Sequence, residues 1–337
     1  MPIRAVLLFV IAVCIASAQV ATVLSITSAS PLPPGVVGAS YLQTLSAGGG
    51  TPPYSWQILP SALPPGLAFS TNGTISGVPV TAGTYTVSIQ VTDNAGARVT
   101  QTFAISIIAG ATFAQFGVIS HIAAGGTWST AITLVNSSPQ PVPLRVNFHG
   151  DDGSAWNLPL VVAQQGSSQP VTTAGLDGAL NPNTTMVIST GALPSLVAGW
   201  AEVLSPGPLG GYGIFRYTPP AGPASECTVP LQTQSPSSVV MAYDNTTGLA
   251  MGVAFANPSA SSTDITATIF DDNGSQLGMQ TFTLSGKGHT ALNMPGQIPL
   301  SAGKRGIAKF QSSGSGGIAI LGLRFSSIGT FTSVPGQ

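Results

Sequence analysis

The chain has 337 residues, of which 43% are hydrophobic and only 6% are charged, and its formal net charge at pH 7 is −1. So few basic residues cannot neutralise a run of phosphates, which argues against a nucleic-acid-binding protein. The hydrophobic content is ample for packed cores and excludes a disordered chain, while 41 glycines and 28 prolines predict short elements separated by many turns.

Residues 1–18 have the pattern of an export signal. Arg4 supplies the positive start, the apolar run that follows it is too short to cross a membrane, and Ala16-Ser17-Ala18 fits a cleavage site. We therefore expect a mature chain that begins at Gln19 and a secreted or cell-envelope location. Cys14 raises lipidation as an alternative, although the residue before it is a valine where a lipid-attachment motif has Gly or Ala.

Residues 24–109 are predicted to form a first β-domain of about seven short strands. From Thr84 to Thr92 the side chains alternate between polar and apolar, as in a strand with one wet and one buried face. A second alternating run from Val99 to Ile107 follows the turn Asp93-Asn94-Ala95-Gly96 and is the predicted hairpin partner. Trp56, in a predicted central strand, is the expected centre of the core.

A motif punctuated by Gly and Pro fills the middle of this domain. It runs Leu63-Pro64-Pro65-Gly66-Leu67-Ala68-Phe69, then Asn72-Gly73-Thr74-Ile75-Ser76-Gly77-Val78-Pro79, then Ala82-Gly83-Thr84-Tyr85-Thr86-Val87. It resembles the He-PIG (immunoglobulin-like, cadherin-like) β-sandwich repeat of bacterial surface and secreted proteins. The resemblance implies an exported, non-catalytic module. A cadherin-type calcium site at Asp93-Asn94 would draw on an acidic linker, and the linker at 108–114 contains no acidic residue.

The rest of the chain contains an internal duplication. Residues 128–136 are similar to residues 249–257, and residues 148–153 are similar to residues 269–274. Both pairs are offset by 121 residues (136 to 257 and 153 to 274). Further on, Gly199 parallels Gly306 and Arg216 parallels Arg324, at offsets of 107 and 108 residues. The first copy therefore has about 13 extra residues, which we expect in the 164–180 segment.

The two copies, 112–231 and 232–337, are predicted to be two further β-sandwiches. Their alternating strands place Val253 and Phe255, and Ile265, Ala267 and Ile269, on inward faces. The Pro-rich connection at 218–231 has Glu226 as its one charge, so it allows the copies to pack on each other. The tandem resembles a C-terminal β-region of secreted acidobacterial proteins, and this resemblance assigns no activity.

Two matched turns each contain a pair of adjacent aspartates, Asp151 and Asp152 in copy 1 and Asp271 and Asp272 in copy 2. Adjacent residues of an extended chain point to opposite faces, so neither pair is a natural acid/base dyad. Calcium is the functional alternative, because such turns offer oxygen ligands. The simpler interpretation is a hairpin turn that uses Asp, Asn and Gly for its backbone geometry. We expect each turn to connect a strand to its hairpin partner.

The remaining candidates each have a structural interpretation. Trp128 and Trp156 are candidate sugar-stacking residues or core residues. His121, His149 and His289 stand alone in the sequence, and His149 is expected to be a surface strand residue. The paired Arg216 and Arg324 are expected to be buried or half-buried anchors that hydrogen-bond carbonyls between strands, with a ligand-binding role as the alternative. Cys227, the one cysteine after the leader, is expected to be a buried apolar residue.

The sequence thus predicts an all-β chain of three tandem β-sandwiches and contains no nucleophile, acid, base or metal cluster of an enzyme. The leading interpretation is a secreted or cell-surface, non-catalytic structural or adhesion protein that binds a protein or polysaccharide partner. The alternative is a carbohydrate-binding module protein that uses the aromatic residues of copy 1. Calcium at the Asp turns is the one candidate cofactor.

Overall fold

The computed structural model describes residues 23–110, 113–327, 329–334 and 336, so the predicted leader at 1–18 lies outside the described residues. Strands account for nearly all of the regular structure, which confirms the all-β prediction. Within the described part of the chain, no helix has the length and apolar character that crossing a membrane requires.

Domain 1 (residues 23–110) contains nine strands in two main sheets and a small two-stranded one. The strands are β1 (Ser25–Ile26), β2 (Gly35–Val36), β3 (Tyr41–Thr44), β4 (Ala47–Gly48), β5 (Ser55–Ile58), β6 (Leu67–Phe69), β7 (Thr74–Gly77), β8 (Gly83–Thr92) and β9 (Arg98–Ile108). The main sheets have the orders β2-β9-β8-β5 and β3-β7-β6, and β1 pairs with β4. Their apolar side chains form one core between them.

The predicted hairpin of domain 1 is confirmed. Val91 pairs with Val99 and Val87 pairs with Phe103 in an antiparallel ladder. The apolar inward residues of both strands are buried apart from Tyr85 and Val99, which are partly exposed. Trp56 is a buried core residue as predicted, with 4% of its surface exposed. Its strand β5 lies at the edge of the sheet rather than at the centre, because the sheet ends beside β8.

Copy 1 (residues 113–232) contains ten strands. They are β10 (Gln115–Ala124), β11 (Trp128–Asn136), β12 (Val142–Gly150), β13 (Leu158–Gln164), β14 (Ser167–Thr173), β15 (Gly175–Leu180), β16 (Thr184–Thr190), β17 (Val197–Leu204), β18 (Gly210–Tyr217) and β19 (Ser225–Gln232). One face of the sandwich is β15-β12-β17-β10 and the other is β14-β13-β16-β11-β18-β19. The two faces join where Val118 and Ile119 pair with the end of β19.

Copy 2 (residues 238–336) contains eight strands, a helix and a 3₁₀ turn. The elements are β20 (Ser238–Asp244), β21 (Leu249–Ala256), β22 (Thr263–Asp271), β23 (Gln276–Leu284), β24 (His289–Asn293), α1 (Met294–Gln297), the 3₁₀ turn Pro299–Ser301, β25 (Arg305–Ser312), β26 (Ala319–Ser326) and β27 (Phe331–Val334). Its sheets are β20-β25-β22-β23 and β24-β21-β26-β27. The five predicted inward residues of β21 and β22 are all buried.

The duplication is visible in the strand orders and in single side chains. The order β15-β12-β17-β10 matches β23-β22-β25-β20, and β16-β11-β18-β19 matches β24-β21-β26-β27. Asn136 and Asn257 are both fully buried, and each donates from Nδ2 to the carbonyl four residues later. The copies therefore share one topology.

Among the described residues of copy 2, no hairpin corresponds to β13–β14 of copy 1. The β13–β14 hairpin begins at Leu158, so only its second half falls in the 164–180 segment where the extra residues were expected. This insertion also corrects the prediction for the first Asp turn. In copy 2 the turn joins β22 to its partner β23, whereas in copy 1 the chain leaves the turn for the other sheet and β15 pairs with β12 instead.

The two copies pack on each other, which the connection at 218–231 was expected to allow, although residues 225–231 of that connection belong to strand β19. Leu321, Leu323 and Phe331 of copy 2 belong to the same hydrophobic cluster as the core of copy 1. The Gln232 side chain donates to the Ile320 carbonyl at 2.7 Å and accepts from its N–H at 3.1 Å. One apolar core therefore extends from copy 1 into copy 2.

Candidate functional site

The three histidines of the chain converge on the interface between the copies, which corrects the expectation that they stand alone. His121 lies on β10 and His289 begins β24, and His121 Nδ1 is 3.0 Å from His289 Nε2. His289 Nδ1 is in turn 2.7 Å from Asp151 Oδ1 of the copy 1 turn. The result is a line of three polar groups, Asp151, His289 and His121, that crosses the interface.

His121 is enclosed on both sides. Its ring stacks on that of His289 with centroids 5.1 Å apart and meets the Phe215 ring edge-on at 5.3 Å. Burial, together with the charge that His289 can acquire, lowers the pKa of His121 to about 3. His121 is therefore a neutral imidazole in the folded protein at neutral pH.

A second polar group lies beside the histidines. Lys287 Nζ donates to Glu202 Oε1 and to the Pro258 carbonyl, both at 2.7 Å, and Trp200 Nε1 donates to the Lys287 carbonyl at 2.7 Å. Burial raises the pKa of Glu202, but the approach of His149, the hydrogen bond from Lys287 and the charge of that ammonium outweigh burial and hold the pKa at about 2. Glu202 is therefore a carboxylate, and it ties copy 1 to the loop before β24.

His149 is not the surface residue that the sequence predicted. Its ring stacks on Trp200 with centroids 4.7 Å apart, and only 14% of its side chain is exposed. Its Nε2 lies 3.7 Å from Glu202 Oε2, which is an ion-pair distance rather than a hydrogen bond, and neither of its ring nitrogens has a hydrogen-bond partner in the described part of the structure.

The predicted calcium residues are engaged with protein groups. Asp152 Oδ1 accepts from the Ser154 N–H and hydroxyl, and Asp271 Oδ1 accepts from two N–H groups of its own turn. Asp272 pairs with Arg305 at 2.7 Å, and Asp151 contacts His289. Among the described residues, no three His, Cys, Asp or Glu side chains are grouped closely enough to hold a metal ion. Calcium at these turns stays a prediction.

The Asp93 carboxylate, the other calcium candidate, caps its own hairpin. It accepts from the N–H groups of Thr51, Ala95 and Ala97 at 2.8, 3.0 and 2.8 Å. The bond from Thr51, followed by those from the turn, lowers the pKa of Asp93 despite a burial effect in the opposite direction. The turn therefore uses Asp93 to order its backbone.

The two tryptophans that could stack on sugars lie at separate positions and contact other rings or backbone. Trp128 stacks on Phe215 at 5.5 Å, is tilted against Tyr217 at 4.7 Å and stacks on Phe331 of copy 2 at 5.7 Å. Trp156 covers Gly199, where an added Cβ would lie 2.8 Å from the indole ring. No ring contact joins the two indoles in the part of the chain that the structure describes. Both side chains remain partly exposed.

The paired arginines are exposed, so the expectation of buried anchors was wrong. Arg216 forms a 2.8 Å cross-strand ion pair with Glu226, and about half of each side chain is exposed. Arg324 occupies an exposed position of β26. Cys227 is a buried residue as predicted, and burial raises the pKa of its thiol to about 11.

A cleft of about 400 Å³ separates domain 1 from copy 1, and no sequence pattern pointed to it. Edge strands β2 and β3 form one wall, and β14 and β15 form the other. Thr44 Oγ1 is 3.3 Å from Gln169 Oε1 across the gap. The lining is apolar and neutral polar apart from Asp177, whose charge is paired with Arg145 at 2.6 Å. Its walls come from distant segments, and half of one wall is the inserted hairpin.

Residues 23–108 match the family described as "Putative Ig domain" (He_PIG). No curated protein matches the chain. Similar solved structures include a putative α-galactosidase of Bacteroides fragilis NCTC 9343, at 25% identity over 25% of this chain and 17% of that one, with a TM-score of 0.22. The chain thus spans less than a fifth of the α-galactosidase structure.

Two further structures are similar over more of the chain. One is the SGBP-B protein of a Bacteroides ovatus mixed-linkage glucan utilization locus, at 11% identity over 88% of this chain and 99% of that one, with a TM-score of 0.19. The other is protocadherin gamma B7 cadherin domains 1–4, at 10% identity over 63% and 49%, with a TM-score of 0.21. By the family model, residues 23–108 are an immunoglobulin-like domain of the He-PIG type, within an all-β chain of tandem β-sandwiches.

Proposed function

We propose that the chain is an exported, non-catalytic structural or adhesion protein, located outside the cell or in the cell envelope, that binds a protein or polysaccharide partner through its β-sandwiches. The proposal rests on where the ionisable side chains lie. The three histidines, Glu202 and Lys287 all lie in the interface between the copies. Groups that an enzyme would direct at a substrate here hold two sandwiches together.

A carbohydrate ligand is the second candidate, and the cleft favours it. Its wall residues include Tyr41, Gln43 and Gln164 beside the apolar Val171 and Leu176, with no unpaired charge among the lining groups. Sugar rings are neutral, with polar edges and apolar faces, so such a lining suits them. The cleft replaces Trp128 as the preferred position, because that indole already contacts the rings of Phe215, Tyr217 and Phe331.

The experiment is a glycan-array and polysaccharide pull-down screen of the purified chain, with calcium and with a chelator. Val171→Trp fills the cleft, and Val161→Trp, at an exposed position of the same hairpin, is its matched control. Saturable binding that is lost in Val171→Trp and kept in Val161→Trp supports a carbohydrate ligand in the cleft. If binding is lost only in Trp128→Ala or Trp156→Ala, the sugar binds at these aromatic residues instead of the cleft. If the chelator abolishes binding, the Asp turns bind calcium that the ligand requires.

Absence of glycan binding by the folded protein leaves protein adhesion or a structural role. Turnover of any polysaccharide in the same screen contradicts the proposal as a whole. Export is tested separately by N-terminal sequencing of the protein recovered outside the cytoplasm, for which we expect a start at Gln19.

A further inference from the structure

The contact between the two histidine rings restricts how many protons the interface between the copies can hold. His121 Nδ1 and His289 Nε2 face each other at 3.0 Å, a distance at which one nitrogen donates and the other accepts. His289 Nδ1 donates to the Asp151 carboxylate at 2.7 Å, which leaves Nε2 as the acceptor in the neutral ring. His121 then donates from Nδ1, so each of the two hydrogen bonds in the line has one donor and one acceptor.

One added proton can be accommodated in this line. It gives His289 a second N–H, faces Asp151 as an ion pair, and reverses the donor and acceptor in the contact with His121. A second added proton places N–H groups on both facing nitrogens. Two cationic rings then stand in van der Waals contact with no acceptor between them, so the second proton breaks the contact.

Among the described residues in contact with the pair, Asp151 is the anionic one, and it already pairs with His289. The pair contacts Asp151 on the turn after β12 and the apolar Phe215 ring on β18. Further titratable groups of the interface contact other residues: Glu202 on β17 pairs with Lys287, in the loop before β24, at 2.7 Å, and the His149 ring on β12 stacks on Trp200.

We propose that His121 and His289 form an acid-sensitive latch between copy 1 and copy 2, which is closed when His121 is neutral and opens when the pair takes up its second proton. Opening separates β10 from β24 and exposes the face of copy 1 that includes Trp200. The inference is independent of the ligand proposed above.

The direction of the pH dependence follows from His121. Its pKa is about 3 in the closed interface and 6.5 when it is exposed, so the open form binds more protons between these values. The closed interface is fully stable above pH 6.5 and loses stability as the pH falls towards 3. With these pKa values, the equilibrium constant for opening is roughly a hundredfold larger at about pH 4.5 than at neutral pH.

Hydrogen–deuterium exchange of the full chain, corrected for the intrinsic pH dependence of exchange, measures this opening. Peptides covering 115–124 and 285–293 are expected to lose protection as the pH falls from neutral to about 4.5, whereas β8 and β9 of domain 1 keep theirs. His121→Gln removes the titrating group and is expected to flatten the response. His149→Gln, a histidine in the same interface without a ring-nitrogen partner, is the matched control and is expected to keep it.

Because His121→Gln could also weaken folding, the wild-type protein gives an independent readout. The ¹⁵N shifts of the imidazole nitrogens report the protonation of each histidine during the same titration. We expect His121 to become protonated only together with the loss of protection. Protonation of His121 while the interface stays protected overturns the latch, as does a pH response that His149→Gln removes and His121→Gln leaves intact.

Discussion

Glu202 shows how much one side chain depends on its partner in this protein. Its carboxylate is 7% exposed and Lys287 lies 2.7 Å away, so removal of its charge leaves a half-buried ammonium without a counter-ion. Removing one partner of a buried pair costs more than the pair itself contributes. Exposed pairs such as Arg305–Asp272 contribute little, because water screens them.

We therefore expect Glu202→Gln to lower the free energy of unfolding by about 2 kcal/mol at neutral pH. Asp272→Asn, at the exposed pair, is the control and is expected to cause no measurable change. Urea denaturation of the three proteins gives the comparison. Equal stability of Glu202→Gln and the wild type would mean that Lys287 is solvated in the folded protein.

The same substitution has a pH signature. The pKa of Glu202 is about 2 in the folded protein against 4.5 in the reference state, so its stabilising contribution is complete above pH 4.5 and is lost as the pH falls towards 2. Unfolding measured across this range is expected to show a smaller loss of stability in Glu202→Gln than in the wild type. Parallel curves for the two proteins would contradict this assignment.

Gly306 and its counterpart Gly199 occupy the same point of the two copies for a steric reason. A Cβ on Gly306 would collide with the Phe270 carbonyl oxygen of the neighbouring strand, and a Cβ on Gly199 would collide with the His149 carbonyl oxygen. We expect Gly306→Ala to lower the unfolding free energy by about 2 kcal/mol or more. Gly296→Ala, where an added Cβ meets nothing within 4 Å, is the control for urea denaturation. An unchanged unfolding free energy in Gly306→Ala would show that the two neighbouring strands can move apart without loss of stability.

At the scale of the element, each copy uses a buried asparagine to fix the end of a strand. Asn136 Nδ2 lies within hydrogen-bond distance of the carbonyls of Gln140, Leu180 and Asn181, and Asn257 Nδ2 donates to Ser261 and Ser285. The Asn136 side chain is fully buried. Its function here is to connect two loops of the sandwich.

Asn136→Asp replaces the donor by a carboxylate that faces carbonyl oxygens. We expect a loss of about 2–3 kcal/mol in unfolding free energy, because the buried acceptors lose their donor and a charge is buried. Asn72→Asp, on an exposed turn where the oxygen accepts from Thr74, is the control. Thermal unfolding followed by circular dichroism compares them, and an equal effect at both positions would refute the capping role of Asn136.

At the scale of the whole molecule, the aromatic cluster that includes Phe331 unites the copies. Phe331 of copy 2 stacks on Phe215 at 5.1 Å and on Trp128 at 5.7 Å, both in copy 1. Domain 1 meets copy 1 across an open cleft, where Thr44 contacts Gln169 and Asn181 donates to the Leu32 carbonyl. We therefore expect the two copies to unfold together and domain 1 to unfold on its own.

Phe331→Ala tests this arrangement. Truncating a buried phenylalanine removes apolar contacts and leaves a cavity, so we expect a loss of about 3 kcal/mol and a red shift of tryptophan emission as Trp128 becomes wetter. Calorimetry is expected to show the transition of the copies separating into two. Tyr212→Ala, at a side chain that is 40% exposed, is the control. If the calorimetric transition of the two copies stays single and unchanged in Phe331→Ala, contacts other than those of Phe331 couple the copies.

Local patterns were enough to predict the all-β class, the hairpin of domain 1 and the duplication of the remaining chain. Alternation along β8 and β9 determines which residues face inward, because successive side chains of a strand point to opposite faces. The repeat offset of 121 residues identified Asn136 with Asn257, and the structure gives both the same bonds. These features depend on neighbours in the sequence, so the sequence was sufficient for them.

Only the tertiary structure decided what the polar residues do. His121 and His289 are far apart in the chain, and their contact depends on how one sandwich docks on another. The insertion β13–β14 redirects the first Asp turn and builds part of one wall of the cleft, which no local periodicity reveals. The physical reason is that docking between sandwiches depends on the shape and charge of whole faces, whereas a strand needs only its own alternating pattern.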